Sequence, residues 1–416
     1  MVCKYKVTVF GLKIVVKTSA NNRCAMTDLA VNRLPTSAQT EGRLLAEQDA
    51  RDQIAFSAAH AENYHEPVLV VSRQRLRINA QRFIAAMPRV RPHFAVKANP
   101  DPEILGIFQQ EGTCFEVASI AEIDAMLELG TNMQTVFYSN PIKSPASIKH
   151  AAANDIVWYC VDTPEEVEKI AAIKPDAKLY LRIEVSNEGS SWPLAGKFGA
   201  SPQGVEAIIE ISKKLDMQLC GVTFHVGSQC TNINNWVEGI RAANNIFTHL
   251  SENGFSPELL NLGGGYPLQF TGQEPSIEAI AAVINHELDA VPEHIQVMAE
   301  PGRYLVGSAG CLITQVVGIA TRDSARWIYL DTGVYGGLME LSQNFPATMV
   351  SQRTGEAGVW TLAGPTCDSI DVLGDHRLPV NTQAEDIIYM PNLGAYCTTC
   401  ASDFNGFPTP KMQLVD

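Results

Sequence analysis

Residues 219–262 read LCGVTFHVGSQCTNINNWVEGIRAANNIFTHLSENGFSPELLNL, and the fold prediction starts from this stretch. It opens with a short apolar run, continues into an amphipathic segment at 236–250 with helical spacing of its apolar residues, and ends in a second apolar run at 259–262. Short apolar runs separated by amphipathic helices indicate parallel β-strands joined by helical crossovers. The stretch therefore predicts one β-α-β unit.

The same alternation extends through most of the chain. Further helical patterns lie at 120–129, 164–173, 202–215 and 277–288. Eight strand–helix units in roughly 230 residues match the length of a TIM-type (β/α)8 barrel. The alternative is a doubly wound open sheet, which usually carries G-x-G-x-x-G after its first strand, and the sequence has no such motif. The predicted barrel strands are 92–98, 114–118, 135–138, 156–161, 179–185, 219–226, 259–262 and 295–299.

The pattern changes after residue 305, where helical periods end and strand-like runs follow one another closely. We assign residues 66–308 to the barrel and 309–416 to a β-domain, to which 66–72 is a candidate extra strand. Residues 1–65 are predicted to be an N-terminal extension with a helical arm at 41–59, and alternation around Tyr5, Val7 and Val9 favours a strand there. Residues 1–27 hold five basic residues and no acid, and an extension or a misread start before Met26 is favoured over a targeting signal. The runs of the β-domain are 311–319, 327–330, 359–362 and 387–390.

Composition narrows the function. Hydrophobic residues make up 46% and charged residues 18% of the 416 residues, as in ordinary soluble proteins. The net charge of −14 argues against nucleic acid as a partner and fits a site for cationic substrates. No apolar stretch of about 18 residues is present, so no membrane span is expected. The ten scattered cysteines indicate reduced thiols and a cytoplasmic location.

One pair of cysteines is close in sequence, Cys397-Thr398-Thr399-Cys400. A C-x-x-C is compatible with redox activity or with half of a zinc site. No second pair with zinc spacing accompanies it, so no metal site is predicted. The favoured interpretation is two thiols on one β-segment.

Residues with chemical potential cluster where barrel strands end, the place at which active sites of (β/α)8 barrels lie. Lys97 is a lysine in an apolar strand, which suits Schiff-base chemistry if burial lowers its pKa, and the alternative is a lysine that extends to solvent from the barrel rim. Gly263-Gly264-Gly265 and Arg303 follow the last two strands, where barrel enzymes often bind phosphate. Glu116, Arg182, His225 and Glu300 complete this set of residues.

For several residues a structural role competes with a catalytic one. Glu300 is a candidate partner for a protonated ring nitrogen of a cofactor, and the alternative is an ion pair with Arg303. His225 is suited to stacking on a flat cofactor or to proton transfer, and equally to a hydrogen-bonded core. In Gly364-Pro365-Thr366-Cys367-Asp368-Ser369-Ile370-Asp371, Cys367 is a candidate proton donor and Asp368 a candidate acceptor for an ammonium group. The alternative for this segment is a turn capped by Asp368.

Taken together, these segments resemble the fold-type III pyridoxal-phosphate decarboxylases, the family of ornithine and diaminopimelate decarboxylases. The resemblance runs from about residue 66 to residue 410 and looks closest to the ornithine or bacterial lysine/ornithine branch. It implies the alanine racemase-like architecture of a TIM-type barrel followed by a C-terminal β-domain. Its motifs are Ala95-Val96-Lys97-Ala98-Asn99, His225-Val226-Gly227-Ser228, Gly263-Gly264-Gly265, Glu300-Pro301-Gly302-Arg303, Gly364-Pro365-Thr366-Cys367-Asp368, Gly394-Ala395-Tyr396 and Phe404-Asn405-Gly406-Phe407.

The resemblance also implies roles for individual residues. Lys97 would hold pyridoxal 5'-phosphate as a Schiff base, His225 would stack on its ring and Glu300 would pair with its nitrogen. Cys367 would protonate the substrate carbon after carbon dioxide leaves, and Asp368 would bind the distal ammonium. Further cofactor contacts are expected from Glu116, Arg182, Ser228, Gly264, Gly265, Gly302, Arg303 and Tyr396, and further substrate contacts from Tyr335, Asn344 and Phe404.

Family members share their sites across a homodimer, which implies that Cys367 and Asp368 reach the partner's cavity and that Lys197 and Asp371 form an ion pair between subunits. The sequence departs from the family at Asn344, where ornithine decarboxylases place a second acid; Glu340 is the nearest replacement. Ornithine is therefore the first expectation for the substrate, with lysine, a D-amino acid or a modified diamino acid as alternatives.

A racemase and an inactive regulatory homologue are the competing functions. A racemase would need a second base opposite Lys97, and an inactive homologue would be expected to lack Lys97 or the phosphate site.

Overall fold

An antiparallel hairpin begins the chain in the computed structural model of the protein, which describes residues 4–9, 12–17, 37–62, 64–194 and 196–416. Strand β1 (Lys4–Val9) pairs with β2 (Leu12–Lys17), which confirms the strand predicted there; Met26 lies outside the described residues. Met1–Ala38 form one compact unit and Gln39–Asp416 the other. Helix α1 (Ser37–Ala61) confirms the predicted arm. In the described part of the chain, no helix is long and apolar enough to cross a membrane.

Eight parallel strands close into a barrel, and each overlaps one of the predicted apolar runs. The segment that precedes the barrel forms β3 (Val68–Ser72). The strands that follow are β4 (Val90–Ala95), β5 (Cys114–Val117), β6 (Phe137–Tyr138), β7 (Trp158–Val161), β8 (Lys178–Arg182), β9 (Ser190–Trp192), β10 (Gln218–Thr223), β11 (Ser228–Cys230), β12 (Leu259–Asn261) and β13 (Gln296–Ala299). Around the barrel the strand order is β10-β12-β13-β4-β5-β6-β7-β8, and β9 and β11 form a separate two-stranded antiparallel ribbon.

Seven of the helices that follow strands begin at a side-chain cap, whereas Asn234–Glu252 begins without one. A Ser, Thr or Asp oxygen accepts a backbone N–H of the first turn at Ser72, Asp101, Ser119, Ser144, Thr163, Ser201 and Ser276. Proline occupies the first turn of four of these helices, where it loses no hydrogen bond. The helices are α2 (Arg73–Ala86), α3 (Pro102–Gln110), α4 (Ile120–Glu128), α5 (Pro145–Ala153), α6 (Pro164–Ala171), α7 (Pro202–Lys214), α8 (Asn234–Glu252), α9 (Ile277–Leu288) and the short α10 (Arg303–Val306).

Aromatic side chains from neighbouring strands pack together in a buried cluster of the barrel. Phe137 stacks on Trp158 at 5.2 Å between ring centroids, and Tyr180 meets Phe137 edge to face at 5.8 Å. Large side chains are expected in the interior of a (β/α)8 barrel, which is a packed core and not a pore. The centre of the barrel is therefore filled by side chains.

The C-terminal part is a sheet built around the long strand β14 (Gly310–Arg322), as the strand-like runs predict. The other strands are β15 (Ala325–Leu330), β16 (Val350–Ser351), β17 (Ala357–Ala363), β18 (Val372–Pro379), β19 (Ile387–Pro391) and β20 (Lys411–Val415). β3 pairs with β14 and with β20, so segment 66–72 contributes a strand to this sheet. Three strands were not predicted: β16 has two residues, β18 carries charged residues at alternate positions, and β20 is only five residues long. The division between barrel and β-domain at residue 308 stays a prediction.

Helix α1 contacts the end of this sheet through hydrogen bonds of Gln53, which is fully buried. Its amide donates to Asn392 Oδ1 at 2.9 Å, and its Oε1 accepts the Asn392 backbone N–H at 2.7 Å. We expect Gln53→Ala to lower the free energy of unfolding by about 2–3 kcal/mol, because it leaves two buried polar groups unpaired. Urea denaturation measures this. Gln48→Ala, on the exposed side of the same helix, is the control and should change stability by less than about 0.5 kcal/mol; equal effects would contradict a specific role for Gln53.

Candidate active site

One cavity at the carboxyl ends of the barrel strands collects most of the predicted site residues. Its volume is about 260 Å³, near the lower end of the range for small-molecule sites. Predicted residues that line it are Lys97, His225, Ser228, Gly264, Gly265, Glu300, Gly302, Arg303 and Tyr396. The cavity is also lined by four residues that the sequence analysis did not mention: Trp192, Leu194, Tyr266 and Met339. The remaining lining residues are Ala95 from the Lys97 motif, Glu340 and Cys400.

Lys97 lies in a tight 3-10 turn, Val96–Ala98, just beyond the end of β4 and not inside the strand as predicted. Its ammonium contacts the carboxylate of Glu116, which lies in the neighbouring strand β5. Burial alone would lower the pKa of Lys97, but the nearby Glu116, Tyr396 and Glu300 raise it above its ordinary value. The expectation that burial lowers this pKa is therefore wrong, because acidic groups surround the amine.

Glu116 is almost fully buried, and one of its oxygens has no hydrogen-bond partner among the described residues. Burial raises the pKa of Glu116 to about 7, against the lowering effect of Lys97. A carboxyl group with a pKa near neutrality exchanges protons readily at physiological pH. Glu116 is therefore placed to hold Lys97, although it does not itself line the cavity.

His225 follows β10 and presents its imidazole to the cavity. The backbone N–H of Gly227 donates to Nδ1 at 3.0 Å. Burial lowers the pKa of His225 well below its ordinary value, and the positive charges of Arg182 and Lys97 add to this effect. The ring is therefore neutral, and a neutral flat ring is suited to stacking on a flat ligand.

Glu300 follows β13 and is held by two neutral donors. Ser139 Oγ donates to Oε1 of Glu300 at 2.6 Å, and Asn261 Nδ2 donates to the same oxygen at 2.7 Å. The alternative ion pair between Glu300 and Arg303 is not formed; Arg303 pairs with Glu340. Ser139 and Asn261 are functional residues that the sequence analysis missed, although both lie at ends of barrel strands, where polar residues are informative.

The three glycines after β12 bring the backbone close to the cavity wall. Gly263 has φ +61°, and a Cβ there would lie 2.0 Å from the carbonyl oxygen of Phe224. A Cβ at Gly264 would lie 2.9 Å from Nε2 of His225. Side chains at these positions would fill the space beside His225, so glycine is required for a ligand to approach the backbone N–H groups.

Arg303 begins α10 and is 95% buried, with a side-chain exposure of 5%. It donates to Ser228 Oγ from Nε at 3.4 Å and from Nη2 at 3.3 Å. Its guanidinium lies 4.9 Å from the ring centroid of Tyr396. A set of donors suited to a phosphate group is thus present: the glycine N–H groups, Arg303, Ser228 and the phenol of Tyr396.

Arg182 ends β8 but does not line this cavity; its guanidinium stacks on Phe198 at 5.3 Å. The predicted substrate residues also lie apart from the cavity of their own chain. Tyr335 stacks on Phe404 at 4.4 Å and donates to Asp368 Oδ2 at 2.6 Å. The exposed Cys367 belongs to the same group, since its backbone N–H donates to Asn405.

Asn344 is exposed in a left-handed turn (φ +59°) and does not reach the cavity, whereas Glu340 does. Asp371 is buried and accepts hydrogen bonds from Val334 N–H at 2.7 Å and from the Thr366 hydroxyl at 2.7 Å. The predicted ion pair between Lys197 and Asp371 of two subunits stays a prediction.

The cysteine pair does not lie on a β-segment as predicted. Thr398–Cys400 form a 3-10 turn, in which the Cys400 N–H bonds to the carbonyl of Cys397 at 3.1 Å. Cys400 lines the cavity and Cys397 is buried. No cluster of metal-ligating side chains occurs in the described part of the chain.

These residues fit a phosphate-bearing aldehyde with a basic ring nitrogen. Lys97 supplies the amine, Glu300 an anion for the ring nitrogen, and His225 a neutral ring to stack on. The glycine cradle and Arg303 suit the phosphate, and Glu116 holds the amine of Lys97 from the neighbouring strand.

Comparison with known proteins gives the same answer. The sequence model of the pyridoxal-dependent decarboxylases, pyridoxal binding domain, matches residues 73–307. The chain belongs to this family. The ornithine decarboxylase of Schizosaccharomyces pombe is 33% identical over 354 residues, which are 80% of each chain. Antizyme inhibitor 2 of Xenopus laevis is 34% identical over 78% of this chain and 76% of the relative. The lysine/ornithine decarboxylase of Vibrio vulnificus, crystallised with putrescine, superposes with a TM-score of 0.80 at 31% identity and covers 88% of this chain and 98% of that one.

Membership in the pyridoxal-dependent decarboxylases identifies the cofactor as pyridoxal 5'-phosphate and the protein as an enzyme of the carboxy-lyase class. It confirms the predicted TIM-type barrel with a sheet-rich C-terminal part. The individual residue roles remain predictions, now supported by the position of nine of them around one cavity.

The contact between Glu116 and Lys97 predicts how readily the amine reacts. In Glu116→Gln the carboxylate that raises the lysine pKa is gone, so the pKa of Lys97 should fall and the reactive neutral amine should increase about tenfold for each pKa unit. The measurement is the rate at which the visible band of covalently bound cofactor appears after apoprotein is mixed with pyridoxal phosphate, from about pH 6 to pH 9. Capture should be faster near neutrality in the variant.

The matched control is Glu258→Gln, since Glu258 pairs with another lysine, Lys178, at 2.6 Å and is not among the groups that raise the pKa of Lys97. This control should retain the wild-type pH profile. Identical profiles for Glu116→Gln and the wild type would remove Glu116 from the control of Lys97.

Proposed function

We propose that this protein decarboxylates a small basic amino acid, ornithine first among the candidates, to a diamine and carbon dioxide. The observation that supports this most is the position of Lys97, Glu300 and Arg303 around one cavity. These residues match the amine, the ring nitrogen and the phosphate of pyridoxal phosphate. Relatives named as ornithine and lysine/ornithine decarboxylases support the substrate class.

When bound, the cofactor withdraws electrons from the substrate carbon and so allows the bond to the carboxylate to break. Lys97 would hold the cofactor through its amine. Glu300, which accepts hydrogen bonds from Ser139 and Asn261, would pair with the ring nitrogen. Neutral His225 would stack on the ring, and the glycine cradle with Arg303 would hold the phosphate.

A proton must return to the substrate carbon after carbon dioxide leaves, and Cys367 is the proposed donor. In its own chain Cys367 is exposed and lies outside the cavity, beside Asp368 and the stacked pair Tyr335–Phe404. Exposed apolar side chains adjoin it, since Ile370 is 59% and Phe404 40% accessible. We infer that this surface covers the cavity of a second subunit, so that Cys367 and Asp368 complete the partner's site.

Asp368 would then bind the distal ammonium of the substrate. The hydroxyl of Tyr335 donates to it and lowers the pKa of Asp368 below its ordinary value, so it is anionic at neutral pH. Asn344 adds no charge of its own, and this leaves lysine, a D-amino acid or a modified diamino acid as alternatives to ornithine. A cytoplasmic location is proposed from the cysteines, and the described ones are free.

The similarity to antizyme inhibitor 2 raises a second candidate, a regulatory protein without catalytic activity. The complete set of Lys97, Glu300 and Arg303 favours the enzyme. A racemase is less well supported, because the Cys367-Asp368 segment suits protonation after decarboxylation.

Release of carbon dioxide tests the proposal directly. Purified protein with pyridoxal phosphate is incubated with L- and D-ornithine, L- and D-lysine, arginine and diaminopimelate, and Lys97→Ala serves as the inactive control without the visible cofactor band. We expect release from one of the ornithines or lysines. No release from any of them, in the presence of the band, would overturn the substrate assignment. An unchanged band in Lys97→Ala would overturn the role of the lysine.

Shared sites are tested by mixing two inactive variants, Lys97→Ala and Cys367→Ala. If each site takes Lys97 from one subunit and Cys367 from the other, a mixed dimer has one intact site, and equal mixing should restore about a quarter of wild-type activity. Activity is assayed before and after reversible dissociation. No recovery, with mixed dimers verified by differential tagging, would place both residues in the site of a single subunit.

A further inference from the structure

Two acidic side chains line the cavity, Glu300 and Glu340, and the proposed reaction assigns a role only to Glu300. The sequence suggested Glu340 as a replacement for a substrate-binding acid. Its carboxylate is instead directed at Arg303, the residue proposed to bind the phosphate.

Arg303 and Glu340 form a bidentate ion pair. Nη1 of Arg303 donates to Oε2 of Glu340 at 3.0 Å, and Nη2 donates to Oε1 at 2.5 Å. The side chains are 5% and 16% exposed, so water screens the pair poorly. The carboxylate therefore takes the outer edge of the guanidinium, and the Nε–Nη2 edge is left facing Ser228.

Other groups already orient Arg303. Its guanidinium lies 4.2 Å from the ring centroid of Phe345 and 4.9 Å from that of Tyr396. Ser228 accepts from its inner edge. Because packing and Ser228 position the arginine, the main contribution of Glu340 is its negative charge.

A buried arginine without a counter-ion is strongly unfavourable, and Glu340 supplies that counter-ion within the protein. A bound phosphate group is a second anion on the same guanidinium, next to the carboxylate. The two anions repel each other, and they divide the positive charge of Arg303 between them.

We propose that Glu340 is a built-in counter-anion of Arg303 that sets the affinity of the enzyme for the phosphate group of its cofactor. The inference rests on the proposed function, since it takes Arg303 as a phosphate residue. It assigns Glu340 to the cofactor end of the cavity and not to the substrate's distal ammonium. Glu340 stabilises the ligand-free cavity by pairing with Arg303, and it lowers the affinity of the cavity for phosphate.

The test compares wild type with Glu340→Gln by thermal unfolding and by spectroscopic titration with pyridoxal phosphate, inorganic phosphate and pyridoxal, which lacks the phosphate. The variant should unfold at a lower temperature without ligand, because Arg303 loses its partner. It should gain a larger thermal shift from pyridoxal phosphate and from inorganic phosphate, and bind pyridoxal phosphate about tenfold more tightly. Its response to pyridoxal should equal that of the wild type.

Two control variants separate charge from packing. Glu340→Asp keeps the charge and should retain an affinity near that of the wild type. Asp386→Asn breaks another bidentate ion pair, in which Arg353 donates to the two oxygens of Asp386 at 2.6 Å and 2.7 Å. Neither residue lines the cavity. This substitution should lower the unfolding temperature without changing the shift caused by any of the three ligands.

Equal or weaker binding of pyridoxal phosphate by Glu340→Gln would overturn the proposal, and so would an equal gain for pyridoxal. If the variant folds only in the presence of phosphate, the proposal is supported, because the anion replaces the lost carboxylate. If phosphate fails to rescue a misfolded variant, the proposal fails. If wild type itself binds no pyridoxal phosphate, the proposed function fails first, which is a distinguishable outcome.

Discussion

Parallel pairing of β13 with β4 closes the barrel, and the position of every residue that faces the cavity depends on that closure. Three residue pairs join the last strand to the first: Val297 with Val90, Met298 with Arg91 and Ala299 with Pro92. Just beyond this seam lie Glu300 on one side and the turn that holds Lys97 on the other. Two residues more than 200 positions apart in the sequence therefore face the same space.

Once the strand ends are brought together, the charges at the barrel mouth must be balanced. Lys97 is paired with Glu116, and Arg303 with Glu340. Glu300 is held by neutral donors, and burial keeps His225 neutral. Buried charges are tolerated only with such partners. We infer that the same ion pairs govern the reactivity of the amine and the charge that Arg303 offers to a phosphate.

The C-terminal sheet has a different relation to the chemistry. It contributes Tyr396 to the cavity, and the backbone N–H of Tyr396 bonds to Ala98, next to Lys97. The loop with Cys367 and Asp368 extends from the same part of the chain but presents these side chains to the outside. The exposed position of Cys367 and Asp368, outside the cavity of their own chain, is the physical basis for the proposal of shared sites between two subunits.

The sequence by itself determined the barrel, because alternation of apolar runs and amphipathic helices is a local property that burial imposes on each segment. It also predicted that Lys97, His225, Glu300 and Arg303 belong to one site, since strand ends and their motifs can be read from the sequence, and these four residues line one cavity. Charge pairing was decided only by the tertiary structure. The partner of Arg303 is Glu340 and not Glu300, and the pKa of Lys97 is raised and not lowered. Coulomb energies depend on distances of a few ångströms between groups far apart in sequence, and only the folded chain sets those distances.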